Sequence, residues 1–66
     1  MKNYIKIERA RHNLTQGDLA EKVGVSRQTI NSIETKKYIP SAVLALKIAK
    51  IFNMPLDSLF ELEEHD

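Results

Sequence analysis

Apolar residues recur along this chain three and four positions apart, in short blocks separated by polar or conformationally special residues, which is helical spacing. The first block, roughly residues 4–12, is rich in charged helix formers and ends near Asn13. Thr15 then offers an N-cap hydroxyl, with Asp18 three residues on in the spacing of a capping box. The helix it starts sets Leu19, Ala20 and Val23 on one face and stops at Gly24, a residue that readily takes the left-handed conformation closing a helix end. Ser26 caps the next helix, whose inward residues are Ile30 and Ile33. Pro40 forces Ile39 out of the helical region, so Lys36-Lys37-Tyr38-Ile39 reads as a loop. Ser41 caps a fourth, more hydrophobic helix through Leu44, Ala45, Ile48, Ala49 and Phe52. Asn53-Met54-Pro55 breaks it, and residues 56–60 make a final turn or two. Strand-like alternation is confined to Phe60-Glu61-Leu62-Glu63. The pattern predicts an all-α fold of five helices with room for one short terminal β-strand.

Two of these helices are separated by only Gly24-Val25-Ser26. So short a link sets them at a steep angle, with Val25 anchoring the turn, and the outcome is a helix-turn-helix. With Ile30 and Ile33 inward, the second helix turns Arg27, Gln28, Asn31 and Ser32 outward. Solvated helix faces usually favour Glu and Lys, whereas these four side chains suit base edges. Arginine forks onto guanine, and glutamine or asparagine does the same on adenine.

Composition narrows the class. Sixty-six residues form one domain, read here as a core over 4–60 and an acidic tail over 61–66. A core this small commonly needs support from disulfides, metal or self-association. There is no cysteine, and His12 and His65 stand far apart without a second ligand at metal spacing, so self-association remains and no metal or cofactor is expected. No apolar run approaches the ~18–20 residues that span a bilayer. The start, Met1-Lys2-Asn3-Tyr4, has no hydrophobic region of a signal peptide behind it, and a cytoplasmic protein is expected. The net charge of +1 hides a segregation: residues 1–56 hold ten basic and four acidic residues, net +6, and the last ten hold five acidic residues and no Lys or Arg, net −5. A basic body suits a polyanion, and an acidic tail is repelled by one.

Thr15-Gln16 with Asp18-Leu19-Ala20, then Val23 to Ile30 (Val-Gly-Val-Ser-Arg-Gln-Thr-Ile), then Ile33-Glu34, resemble the helix-turn-helix of the phage Cro and cI repressors and of small stand-alone prokaryotic regulators. The similarity runs from about Ile5 to Phe60. It implies a compact five-helix bundle of the lambda-repressor-like type that binds operator DNA, generally as a two-fold dimer. Carried over by position, it implies that Arg27 and Gln28 enter the major groove first, with Asn31 and Ser32 one turn on. Gln16 would hold a backbone phosphate at the positive end of its helix. Ser26, Thr29, Lys36, Lys37, Tyr38 and Ser41 would add backbone contacts, which position without specifying. The resemblance also pairs Arg9 with Glu34, locking the recognition helix in orientation. Two positions depart from the family's habits: Glu8, where Leu or Ala is common, and Gly17, where Glu, Gln or Ala is usual.

Val43, Leu46, Met54, Leu59, Phe60 and Leu62 remain after the predicted core is filled, although Leu46 and Leu59 also fit a larger core. A dimer built around Met54, Leu59, Phe60 and Leu62 is expected, with the terminal strand at the interface and the acidic tail in solvent away from DNA. Two recognition helices would then lie ~34–36 Å apart and match a palindromic operator. Repression is the family-level expectation. No phosphate loop, catalytic cysteine or nucleophile–base motif is present, so an enzyme is not expected, nor is a small-molecule inducer. The rival reading is an antitoxin-type protein-interaction module that also autoregulates, disfavoured by the few residues after Phe60.

Overall fold

The computed structural model describes residues 1–66. The elements run β1 (Lys2–Asn3), α1 (Ile5–Arg11), α2 (Gln16–Val23), α3 (Arg27–Glu34), α4 (Ala42–Ile51), α5 (Leu56–Leu59) and β2 (Phe60–Glu61). The fold is thus a five-helix arrangement, as the sequence pattern predicts, with a short terminal strand pair.

Helix starts follow side-chain chemistry. Thr15 Oγ1 accepts from the Asp18 N–H at 3.0 Å, and the Asp18 carboxylate accepts from the Thr15 N–H at 3.0 Å, completing the capping box. Those hydrogen bonds, the Thr15 backbone one foremost, hold the Asp18 carboxyl below its ordinary range. Ser26 and Ser41 cap α3 and α4 by accepting from the N–H of Thr29 and Leu44. Helix ends share one closure. Asn13, Gly24, Lys36 and Asn53 are left-handed, and the next N–H reaches back to the carbonyl of Arg9, Ala20, Ser32 and Ala49, respectively. The sequence pattern identified only Gly24.

Thirteen apolar residues form the core: Ile5, Leu19, Ala20, Val23, Ile30, Ile33, Leu44, Ala45, Ile48, Ala49, Phe52, Leu59 and Phe60. Two expectations change here, and one departure from the family's habits finds its partner. Leu59 and Phe60, expected at a subunit interface although Leu59 also fitted a larger core, are both buried in the chain's own core, where each large apolar side chain contributes roughly 1.5–3 kcal/mol. Leu46, which fitted a larger core, is instead 55% exposed. Glu8 is buried against the helix surface and accepts from Arg11 at 3.1 Å, so its charge has a partner.

The terminal strand forms, but its partner is the chain's own beginning. β2 pairs antiparallel with β1, Lys2 opposite Glu61 and Asn3 opposite Phe60. The Tyr4 N–H extends the ladder to the Leu59 carbonyl at 3.0 Å, and the Tyr4 hydroxyl donates to Glu61 at 2.7 Å. No helix is long and apolar enough to cross a membrane.

Candidate nucleic-acid interface

α3 begins where α2 and the three-residue turn leave it, with Ile30 and Ile33 fully within the core. Their burial fixes its rotation, so Arg27, Gln28 and Asn31 are exposed and Ser32 is half-buried. Gln16, Arg27, Gln28 and Asn31 line one open hollow. Gln28 also belongs to a second, with Ser26, Thr29, Ser32 and Tyr38. Eight residues expected at a DNA surface are therefore gathered on one side. Lys36, Lys37 and Ser41 line neither hollow.

Two supports brace α3 from behind. The Arg9 guanidinium forks onto Glu34, Nε to Oε2 at 2.6 Å and Nη2 to Oε1 at 3.1 Å, and its Nη1 donates to the Leu14 carbonyl at 2.9 Å. The two side chains are 14% and 6% exposed, so the pair sits largely out of water. The second support is absent from the sequence reading: Asn3 Nδ2 donates to the Ile33 carbonyl at 2.9 Å, tying β1 to the last turn of α3. Its signal, an Asn two residues before the first helix, is too common to single out.

Gln16 behaves differently from a simple phosphate ligand. Its Nε2 donates to Asn31 Oδ1 at 3.1 Å and to Glu34 Oε1 at 3.2 Å, engaging both amide hydrogens. The backbone N–H groups of Gln16 and Gly17 have no acceptor within the chain, and both residues line a third hollow together with Arg27. Ser26 and Thr29 hydroxyls are 2.9 Å apart and bond each other. The Ser41 oxygen accepts as a cap, which leaves its O–H able to donate.

The loop after α3 departs from expectation. Lys37 and Tyr38 are exposed without side-chain partners, whereas Lys36 Nζ donates to both oxygens of Glu63, at 2.9 and 3.1 Å. The acidic tail does not simply stand in solvent: Glu63 folds against the loop after α3. That contact, first among the causes, holds the Glu63 carboxyl below its ordinary range. Like charges between tail and DNA suggested separation, and the lysine nearest the tail's path overrode it locally.

The family model for the helix-turn-helix matches residues 5–59. The chain belongs to the helix-turn-helix family. This is a family of DNA-binding transcriptional regulators, not of enzymes. Over all 66 residues the helix-turn-helix chain is 56% identical to an uncharacterized HTH-type transcriptional regulator of Methanocaldococcus jannaschii, covering 100% of both. Its fold is similar to that of the P22 c2 repressor in complex with a synthetic operator (TM-score 0.82, 26% identity, 86% of each chain). It is also similar to the N-terminal DNA-binding domain of SinR from Bacillus subtilis (TM-score 0.77, 28% identity, 94% of this chain and 90% of that one). The family match ends at residue 59, so β2 and the acidic tail of this helix-turn-helix protein lie beyond it.

Proposed function

We propose that this chain is a single DNA-binding domain, core 4–60 with an acidic tail over 61–66, that represses transcription by binding a palindromic operator as a homodimer. α3 enters the major groove, where Arg27, Gln28, Asn31 and Ser32 contact base edges. The backbone amides at the start of α2, around Gln16, receive a phosphate. Ser26, Thr29, Lys36, Lys37, Tyr38 and Ser41 add backbone contacts that set register.

The observation that carries this reading is the outward face of α3. Arg27, Gln28 and Asn31 surround one hollow with no salt bridge to neutralise the arginine. Repression and operator binding draw support from the P22 c2 repressor, whose structure holds a synthetic operator. Self-association draws support from apolar side chains left in solvent: Leu62 is 79%, Val43 63% and Leu46 55% exposed, with Met54 half-buried nearby in the chain.

The test is selection from randomised duplex DNA at one stated salt concentration, comparing wild type with Arg27→Ala/Gln28→Ala. A palindrome with half-sites about one turn, ~34–36 Å, apart is expected, and the double variant should fail to recover it. Enrichment of nothing beyond salt-sensitive, sequence-independent binding would overturn the reading.

A further inference from the structure

Among the basic residues of the loop after α3, Lys36 alone has a carboxylate partner, and that partner comes from the tail. Both Glu63 oxygens accept from one ammonium, at 2.9 and 3.1 Å, the arrangement a DNA phosphate would offer it. We propose that the acidic tail is an autoinhibitory clasp, in which the Glu63 carboxylate occupies the Lys36 ammonium and a backbone phosphate must displace it. The inference rests on the reading of Lys36 as a backbone contact.

The surrounding structure keeps Glu63 within reach. β2 ends at Glu61, two residues earlier, and is hydrogen-bonded to β1. The Glu63 N–H donates to Asp66 at 2.7 Å, folding the tail into a turn, and Asp66 accepts from the Met1 ammonium at 3.1 Å. Met1 also lies 3.4 Å from Glu63. A carboxylate anchored this closely acts as an intramolecular ligand at high effective concentration. Its attachment to the strand pair places it against the loop after α3, without contact to any base-reading residue.

The clasp predicts a sequence-independent effect. Because Lys36 is expected to touch phosphate, releasing it strengthens binding to every duplex and leaves base preference as it was. Because the contact is exposed, salt weakens it, and its effect fades as ionic strength rises.

The experiment measures the affinity of full-length protein for a selected duplex and for a duplex of unrelated sequence across a salt series. It uses wild type, Glu63→Gln, Lys36→Gln and the double variant, with circular dichroism verifying that each is folded. Glu63→Gln should bind both duplexes roughly two- to five-fold tighter at low salt, the scale of one exposed ion pair. The gain should shrink as salt rises, steepening the plot of log K against log salt by up to about one. In the Lys36→Gln background the Glu63→Gln gain should vanish. Glu63→Gln binding no tighter than wild type at low salt overturns the clasp. An equal gain with and without Lys36 also overturns it, because the effect would then be bulk tail charge. In the Glu63→Gln background, where no clasp competes, a Lys36→Gln change that leaves affinity for both duplexes unaltered overturns the clasp and the backbone role of Lys36 together, and leaves the Arg27 and Gln28 selection unaffected.

Discussion

Arg9 and Glu34 show how a single pair can set the aim of a helix. A carboxylate that is 6% exposed would be costly alone, and the forked guanidinium with its third bond to Leu14 satisfies it. Gln16 shares the same carboxylate, so the pair connects α1, α2 and α3 at one point. Glu34→Ala should therefore cost about 3 kcal/mol, the low end for a buried pair because Arg9 retains some water. Chemical denaturation measures it. A well-packed apolar replacement of both partners should restore much of that stability. The resemblance made these two residues legible from sequence, and so were the outward positions of Arg27, Gln28 and Asn31, because Ile30 and Ile33 allow only one rotation of α3. The engagement of Gln16 was not legible: its position suggests a phosphate, and only three-dimensional proximity reveals Asn31 and Glu34 competing for its amide.

At the level of elements, the two glycines make opposite demands. Gly24 closes α2 at φ 77, where a side chain meets open space but an unfavourable backbone. Gly17 lies inside α2 with ordinary φ, and an added methyl would meet only Thr15 Oγ1 at 3.8 Å. Gly24→Ala should destabilise by about 1–2 kcal/mol, and Gly17→Ala should stabilise by about 0.4–1 kcal/mol through the unfolded chain. Paired thermal melts test the sign of each. Helix starts were readable because Thr15, Ser26 and Ser41 carry the capping oxygen themselves. Three of the four left-handed ends were not, since Asn13, Lys36 and Asn53 take that conformation without glycine's advertisement. β1 was missed for a related reason: two residues cannot show an alternation, and its partner lies at the other end of the sequence.

Across the whole molecule, charge is arranged by folding as much as by composition. The last ten residues, net −5, looked destined for repulsion from the +6 body's ligand, yet Glu63 and Asp66 bind Lys36 and Met1 instead. Hydrogen bonding to Asp66, ahead of contributions from Glu63, raises the Met1 ammonium above its ordinary 8.0. Its contribution is complete below that value and disappears as pH rises through the raised one. Glu63 and Asp66 are lowered from 4.5 and 3.8, Glu63 first by Lys36 and Asp66 first by the Glu63 N–H, so theirs is complete above those values and disappears as pH falls through the lowered ones. The tail should be held best between about pH 4.5 and 8, with protection against backbone amide exchange near residues 61–66, taken relative to the intrinsic rate at each pH, lower outside that window.

The pairing of Lys2 with Glu61 also bears on how the chain is made. β1 is synthesised before its partner, which follows nearly sixty residues later. At about 5–20 residues added per second, that interval is roughly 3–12 s. During it α1 to α4 are already available to pack, but the places of Leu59 and Phe60 in the core stand unfilled. Completion of the domain is therefore timed by the synthesis of its last strand, and until that strand emerges β1 waits without a partner.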